Sequence, residues 1–576
     1  MKFSQLAVYI HQIDKTHSRL EITRLLSELY LKLNKEEIDK AIYLMQGRVA
    51  PLFDPVEFGM AEKSVIKAAI SAMQIEPSLF KTKYQEVGDL GKTVEFFKKQ
   101  YYSFEETDLD ITVVFEQLKR LSKAFGNGSQ TVKQGILSLL IRQLDAVSCC
   151  YLVRIPLGIL RLGFSDMTVL DALSWMLTGD KKLRGEIEHA YHVLPDLGKI
   201  GKTIKEHGII GIKTIKPRIF TPIIMMRAER LSSGEEIVKQ IGRCAIEPKY
   251  DGFRLQAHFD RKLNQVKLYS RNLEEVSLMF PDIVEGIKKQ ICGDKIIIEG
   301  EAVGFDPKTG KNLPFQETVQ RKRKYGIEEK SKTVPLKFFV FELLYADDTS
   351  YLPVVSEKRR KKLENLINKN NVNDTLIIAP QQILEDGKRI ELCFDQAIGE
   401  GLEGILAKKL DGIYQPGARA WNWIKFKRSY SSKVNDTIDC LVMGYDFGKG
   451  KRTSFGIGAF LAGVYDEKNE QYLTVAKIGT GLTDEEWKKL KVKSEKLKVK
   501  SKPDQYIVDK MMECDVWLQP KIVVEIRADE ITHSPVHTAK VALRFPRLER
   551  FRDDKIVTEI TTISELGSII NNQIIK

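Results

Sequence analysis

The chain has 576 residues, 43% hydrophobic and 29% charged, a composition typical of a globular protein with several domains. Its 91 lysines and arginines outnumber its 78 aspartates and glutamates, which favours a polyanionic partner without identifying one. No apolar run is long enough to span a bilayer, and polar residues follow the amino terminus too soon for a signal peptide. Seven scattered cysteines without a C-x-x-C pair argue against structural zinc and fit a reducing compartment. We therefore expect a cytoplasmic protein with no membrane partner.

The first 215 residues have the apolar periodicity of packed helices. Phe3, Leu6, Ala7 and Ile10 follow the i, i+3, i+4, i+7 spacing of one helix face, and similar stretches recur at 136–144 and 168–176. This pattern predicts an all-α domain over residues 1–215.

The pattern of apolar residues changes near residue 216. Runs rich in Ile, Val, Phe and Tyr at 267–270, 295–299 and 337–345 indicate strands, with helices between them at 277–290 and 355–369. Residues 216–430 are therefore expected to form an α+β domain.

From 431 to 576, short strands such as 523–526 and many glycines favour a small β-barrel. A lysine-rich run at 488–502 within this region suggests a solvated helix face.

One short segment carries the sharpest chemical signal. Residues 247–254 read Glu-Pro-Lys-Tyr-Asp-Gly-Phe-Arg, with a K-x-D-G core at Lys249. Alone, this core also fits a surface turn closed by Asp-Gly. Further motifs follow in order at residues 269–272 (YSRN), 299–303 (EGEAV), 341–345 (FELLY), 403–408 (EGILAK), 423–427 (WIKFK) and 550–555 (RFRDDK).

Together these motifs resemble those of the covalent nucleotidyltransferase superfamily, which includes DNA ligases, RNA ligases and mRNA capping enzymes. The resemblance is closest to the replicative-type ATP-dependent DNA ligases of archaea, and the LPFQ segment at 313–316 strengthens it. It implies an all-α DNA-binding domain, an α+β adenylation domain and a C-terminal β-barrel with the OB-fold. It also implies a monomer that seals nicked double-stranded DNA in replication, recombination and repair, using ATP and Mg²⁺ or Mn²⁺.

The chemistry of adenylation suits Lys249 and Glu247. A deprotonated lysine amine can attack the α-phosphorus of ATP and form a lysine–AMP phosphoramidate, and nearby cations such as Arg254, Lys425 and Lys427 would expose the nucleophile. Positions two apart on a strand share a face, so Glu247 and Lys249 would enter one pocket. A carboxylate at Glu247 would accept from the adenine amino group and repel the carbonyl oxygen of guanine.

The resemblance assigns roles to further residues. Phe341 matches the family residue that stacks on the purine, and Glu342 stands where the family usually has aspartate. Glu301 is expected near the ribose and the metal, and Glu403 near the metal. The remaining residues are expected to contact the nucleotide phosphates or sugar: Arg254, Arg271, Arg419, Lys425 and Lys427.

The resemblance also extends to nucleic-acid contacts. In the helical region, Arg154, Gly158, Arg161 and Gly163 match a DNA-binding element, where exposed glycine backbone and flanking arginines would follow phosphates. The segment Gln100–Phe104 faintly resembles a motif that binds a sliding clamp, although a surface loop explains it equally well. The last motif, with Arg550, Arg552 and Lys555, resembles an element that orients pyrophosphate, although a surface ion-pair cluster is an alternative.

Two other functions fit parts of the sequence. An RNA ligase or guanylyltransferase would share the central motifs, but Glu247 and the helical region disfavour it. A nucleic-acid clamp with a decayed pocket is the second alternative, and the intact set of Lys249, Arg254 and Lys425 disfavours that.

Overall fold

The computed structural model describes most of the chain, with gaps between its described ranges: 1–101, 106–160, 162–307, 311–313, 315–321, 326–368, 374–427, 437–448, 456–479, 482–528, 530–534 and 536–567. It consists of two compact units, Met1–Phe426 and Lys427–Lys576. No helix in these ranges is both long and apolar enough to cross a membrane.

The amino-terminal region of the first unit is helical. Its helices pack their apolar faces into one core that includes Phe3, Leu26, Phe97 and Leu170, as the sequence periodicity predicts. Side-chain caps begin several of them: Ser18 accepts from the Glu21 amide, and Asp196 accepts from the Lys199 amide. The helices are α1 (Phe3–Asp14), α2 (Arg19–Lys32), α3 (Ile38–Met45), α4 (Glu62–Met73), α5 (Pro77–Val87), α6 (Leu90–Tyr101), α7 (Ile111–Ser122), α8 (Ser129–Gln143), α9 (Ala146–Leu152), α10 (Asp166–Thr178), α11 (Arg184–Val193) and α12 (Leu197–Lys213).

The rest of the first unit alternates strands and helices. The strands are β1 (Arg227–Arg230), β2 (Cys244–Lys249), β3 (Phe253–Asp260), β4 (Gln265–Ser270), β5 (Lys295–Gly304), β6 (Leu336–Ala346), β7 (Thr349–Ser350), β8 (Leu376–Ile378), β9 (Gln382–Leu384), β10 (Gly404–Lys409) and β11 (Arg419–Lys427). The helices are α13 (Gly234–Ile241), α14 (Pro281–Gln290), α15 (Phe315–Thr318), α16 (Ile327–Thr333), α17 (Ser356–Leu366) and α18 (Gly387–Gly399).

These strands form two sheets that face each other. One has the order β1-β11-β10-β2-β9, and the other has the order β4-β3-β5-β6-β7, with β8 beside β6. Helices α13 and α18 pack on the outer face of the first sheet, and α14 and α17 on that of the second. Between the sheets, Ile297, Leu344 and Trp423 contribute to a shared core. The opening between the sheets is where side chains from both can converge.

Residues 214–226, which join α12 to β1, are fixed by side chains of the sheets. The Ile223 amide donates to Gln256 Oε1 at 2.7 Å, and the Met226 amide donates to the Tyr414 hydroxyl at 2.8 Å. His258 accepts from the Phe220 amide at 3.1 Å, and burial lowers the pKa of this imidazole to about 3, so it stays neutral and can accept. The connection is therefore an ordered part of the first unit.

The second unit is rich in strands. Its strands are β12 (Ile438–Phe447), β13 (Ile457–Asp466), β14 (Gln471–Ile478), β15 (Lys498–Val499), β16 (Tyr506–Ile507), β17 (Val516–Leu518), β18 (Val523–Arg527), β19 (Glu530–His533), β20 (Val541–Arg544) and β21 (Arg547–Phe551). The main sheet has the order β15-β17-β12-β13-β14-β16, with β18 joining β12 to β21. Helix α19 (Asp484–Glu495) begins with a capping box in which Thr483 and Glu486 bond each other's backbone amides.

Several predicted helices differ from the observed elements in their bounds, including the one expected at 355–369, which is α17. The helix expected at 277–290 is a 3₁₀ turn, Ser277–Met279, followed by α14, because Pro281 is favoured at the first helical position and cannot lie deeper. The lysine-rich run at 488–502 is helical only to Glu495, and Lys498–Val499 then pairs with β17.

Candidate functional site

Lys249 lies at the end of β2, opposite Gly404 of β10. The Glu403 amide donates to the Lys249 carbonyl at 3.1 Å, which holds Glu403 beside the lysine. The Glu403 carboxylate forms an ion pair with Lys249 Nζ. About a quarter of each side chain is exposed, so the pair is accessible from solvent. The predicted nucleophile and one predicted metal ligand are thus neighbours.

Glu301 is the second predicted metal ligand, and it lies on β5 directly opposite Arg254 of β3. Burial raises the pKa of Glu301 to about 7, and the Lys249 ammonium and Arg254 guanidinium only partly oppose this. The carboxylates of Asp251 and Glu403 push the pKa in the same direction as burial. Glu301 therefore shares one electrostatic environment with Lys249 and Glu403.

Glu247 is 2% exposed and has two close donors and one more distant guanidinium around it. Lys408 Nζ lies 2.8 Å from its Oε2, and Gln381 Nε2 donates to its Oε1 at 2.9 Å. Arg360 Nη1 lies 3.7 Å from the same Oε1. The carboxylate has about four lone-pair positions, so these contacts leave acceptor capacity for a ligand.

Lys408 connects Glu247 to the aromatic side chains of the site. Its ammonium donates to the Phe341 carbonyl oxygen at 2.6 Å and lies 5.1 Å from the centre of the Phe341 ring. It also lies 4.9 Å from the Trp423 ring, which meets Phe341 edge-on. Such distances are in the range of cation–π attraction. Phe341, which is only half-buried, therefore lies next to the predicted adenine-reading carboxylate.

Arg254 makes several contacts that the sequence interpretation does not include. Its guanidinium donates to Glu299 Oε2 at 2.6 Å and to the Met226 carbonyl at 2.8 Å, and it lies 5.6 Å from the Phe341 ring. Glu299 is fully buried and also accepts from Gln256 and Tyr414. Arg254 is therefore held rigidly at the wall of the pocket.

A group of exposed arginines lies beside this wall. Arg419 begins β11 and stands opposite Arg227 of β1, a residue that the motifs do not include. Partial burial lowers the pKa of Arg271, and the nearby guanidinium groups of Arg254 and Arg227 lower it further. Arg227, Arg271 and Arg419 have no ion-pair partner among the described residues, and such clustered cations are suited to a polyanion.

Lys425 and Lys427 lie further along β11. The intervening Phe426 is buried while both lysines are half-buried, so the two lysines share one face of the strand, as expected from its alternation.

Glu342, the position that departs from the family, is part of a buried ion pair. Arg359 of α17 donates to both of its carboxylate oxygens, at 2.8 and 2.9 Å. Burial disfavours ionisation, but the Arg359 guanidinium outweighs it and holds the pKa of Glu342 below its usual value. Glu342 thus links β6 to α17 behind Phe341.

The predicted DNA-binding residues differ in their surroundings. Gly158 and Gly163 have φ of +64° and +73°, values that favour glycine, and a Cβ at either position would meet nothing within 4 Å. Arg154 is buried and paired with Asp14 and Asp89. Arg161 and residues 102–104 of the clamp-like segment lie outside the described residues. A DNA contact at these positions stays a prediction.

The basic residues of the last motif are engaged with carboxylates of the second unit. Arg552 Nη1 lies 3.1 Å from Asp439 Oδ1, and Lys555 Nζ lies 2.6 Å from Asp439 Oδ2. Arg550 pairs with Glu525, and Arg552 also pairs with Asp554. These contacts hold the motif against β12 and β18.

Family models match three parts of the chain. Residues 2–174 match the DNA ligase N terminus, residues 225–427 the ATP dependent DNA ligase domain, and residues 453–555 the ATP dependent DNA ligase C terminal region. A probable DNA ligase of Dictyoglomus thermophilum is 45% identical over 100% of this chain and 98% of that protein. A DNA ligase of Saccharolobus solfataricus is 38% identical over 100% of this chain and 98% of that protein. The chain belongs to the ATP-dependent DNA ligase family.

A solved structure named Pmar-Lig_PreS3 supports the fold. It is 18% identical, covers 95% of this chain and 99% of its own, and has a TM-score of 0.55. The fold class expected from the sequence is confirmed, with a helical amino-terminal region, a central nucleotidyltransferase domain and a carboxyl-terminal OB-fold region.

Proposed function

We propose that this protein seals nicks in duplex DNA through an AMP group carried on Lys249. The observation that supports this most directly is the position of the lysine. Its amine lies beside the carboxylate of Glu403 and close to Glu301, on the strand that also carries Glu247. A pocket with a nucleophile, a base-reading carboxylate and an aromatic ring has the parts that adenylyl transfer requires.

The first step forms a phosphorus–nitrogen bond. Lys249 Nζ, freed from its ion pair with Glu403 and deprotonated, attacks the α-phosphorus of ATP, and pyrophosphate leaves. The AMP then passes to the 5′-phosphate at the nick, which restores the free amine. In the last step the 3′-hydroxyl attacks the adenylated 5′-phosphate, AMP leaves, and the backbone is closed.

The carboxylates of Glu301 and Glu403 fit a Mg²⁺ ion that is also held by substrate. The described residues contain no group of three His, Cys, Asp or Glu side chains arranged as a complete metal site. Mg²⁺ commonly needs only one or two protein carboxylates, with phosphate oxygens and waters completing its shell. When bound here it would neutralise charge on the triphosphate.

The other side chains are assigned to binding and orientation. Phe341 stacks on the purine, and Glu247 accepts from its amino group. Arg254, held by Glu299, presents a fixed cation at the pocket wall. The remaining cations bind phosphate oxygens or sugar and stabilise the charge that develops during transfer: Arg271, Arg419, Lys425 and Lys427.

The proposal also includes partners and location. The helical region binds the duplex, with Gly158, Gly163 and Arg161 at its contact surface, while the buried Arg154 supports this segment through its ion pairs with Asp14 and Asp89. The segment Gln100–Phe104 is a candidate for binding a sliding clamp, and the protein acts as a monomer. A cytoplasmic location is supported by the seven cysteines, which are all unpaired.

The decisive experiment is mass spectrometry of the protein after incubation with magnesium and ATP or GTP. We expect one AMP adduct on Lys249 with ATP and no GMP adduct with GTP. The Lys249→Ala variant should form no adduct, yet still close a nick that is already 5′-adenylated, because the last step does not use the amine. The control is Lys262→Ala, at an exposed turn lysine. Sealing of an ordinary nick by Lys249→Ala would contradict the assignment.

A further inference from the structure

Gln381 lies where the two facing sheets meet. It belongs to the short connection, residues 379–381, between β8 of one sheet and β9 of the other. The Ala379 amide donates to the Val340 carbonyl of β6 at 2.8 Å, which ties the start of this connection to the strand that carries Phe341. The Gln381 side chain reaches Glu247 on β2 from there. It therefore contacts the predicted base-reading carboxylate from an element that none of the sequence motifs covers.

The contact with Glu247 fixes the orientation of the Gln381 amide. The Glu247 carboxylate, paired with the Lys408 ammonium at 2.8 Å, can only accept hydrogen bonds. The Gln381 NH₂ group must therefore be the donor in the 2.9 Å contact, and its carbonyl oxygen is turned away from Glu247. That oxygen has no hydrogen-bond partner among the described residues. A glutamine with the opposite orientation would place two acceptors against each other.

This arrangement leaves two acceptors on neighbouring side chains. One acceptor is the Glu247 carboxylate, which is paired with the Lys408 ammonium. The other is the Gln381 carbonyl oxygen, which belongs to the same amide as the nitrogen that donates to Glu247. An exocyclic amino group has two hydrogens and can donate to both acceptors at once. A carbonyl oxygen at the same position of a purine would face both acceptors and gain no hydrogen bond, which is the basis of strong discrimination by a polar site.

We propose that Gln381 is a second specificity-determining residue of the nucleotide site, and that its Oε1 accepts one hydrogen of the 6-amino group of adenine while Glu247 accepts the other. This inference rests on the proposed function, because it takes the pocket to hold ATP. It goes beyond the motif residues, since the sequence interpretation assigns base selection to Glu247 alone.

The test compares adenylation of Lys249 by ATP with transfer from purine riboside triphosphate, which has only hydrogen at the 6-position. Rates are measured at limiting nucleotide for the intact protein and for Gln381→Met, which keeps the length of the side chain and removes the amide. Gln382→Met is the matched control, because Gln382 is the adjacent exposed glutamine. Inosine triphosphate, with a 6-carbonyl oxygen, is the third nucleotide.

We expect Gln381→Met to lower the rate with ATP by about tenfold and to leave the rate with purine riboside triphosphate nearly unchanged. The preference for ATP over inosine triphosphate should fall by a similar factor, and Gln382→Met should change neither ratio. Equal losses with all three nucleotides would show that Gln381 only supports packing, and an unchanged preference would also overturn the proposal. Failure of the unmodified protein to form any adenylate would instead refute the proposed function.

Discussion

Glu301 provides a prediction about pH that follows from its burial. Its carboxyl has a pKa of about 7, because burial outweighs the attraction of Lys249 and Arg254. The ionised form attracts a cation and accepts hydrogen bonds with both oxygens, whereas protonation removes the charge and turns one oxygen into a donor. About one tenth of the carboxyl is ionised near pH 6 and about nine tenths near pH 8, so its contribution to adenylation should rise about tenfold over this interval.

The perturbation is Glu301→Gln, which keeps the shape of the side chain and removes the titration. Adenylation by ATP is followed from about pH 6 to about pH 9 at nucleotide and magnesium concentrations well below saturation, so that the rates report ionisation of the unliganded protein. Deprotonation of Lys249 also accelerates the reaction in both proteins, so the two rates are compared as a ratio at each pH. The ratio of unmodified protein to variant should rise about tenfold and then level off above about pH 8.

The control is Glu301→Asp, which keeps a titrating carboxyl group and should retain a rise of the same sign. The thermal unfolding of each variant is recorded at both ends of the pH range to exclude loss of structure. A ratio for Glu301→Gln that does not change between about pH 6 and about pH 8 would refute the link between burial of this carboxyl and the first step.

Two further predictions concern residues that support the site, Glu342 and Gly252. Glu342→Ala should destabilise the protein by about 3–5 kcal/mol, because it leaves the buried Arg359 guanidinium without its carboxylate; a lower thermal unfolding temperature is the measure, and an unchanged temperature would contradict the pairing. Gly252→Ala should reduce adenylation by at least about a hundredfold. A Cβ at this position, three residues after Lys249, would lie 2.2 Å from the Ala302 carbonyl oxygen, so the backbone would have to move. Gly399→Ala, where nothing lies within 4 Å, is its control, and equal activity of the two variants would disprove the steric argument.

The elements that local sequence determines were predictable. The helices before residue 215 follow from apolar spacing, and β5 and β6 follow from runs of β-branched and aromatic residues, because both signals lie within one segment. Pro281 shows how a single residue moves a boundary, since it begins α14 and separates the preceding turn from it. Lys249, Glu301 and Glu403 could be selected as candidates from the sequence because the motifs that carry them are local.

The partners of these residues were not predictable from any one segment. Lys408 reaches Glu247 only because β10 pairs antiparallel with β2, and Gln381 reaches it only because its connection crosses between the sheets. Arg227 joins the exposed arginines through its register with Arg419, although the two are far apart in sequence. Such contacts depend on strand order and register, which a single sequence does not reveal.

The connection between the helical region and the sheets has a consequence for protein engineering. The Arg254 guanidinium donates to the Met226 carbonyl and also lies beside Phe341. The Met226 amide donates to Tyr414, which donates to the same Glu299 as Arg254. The attachment of the helical region and the position of a proposed nucleotide-binding side chain thus depend on the same guanidinium. A substitution of Arg254 that is intended to change ATP affinity would also remove its hydrogen bond to Met226 in the connection to the helices. Nucleotide affinity and the attachment of the helical region must therefore be optimised together.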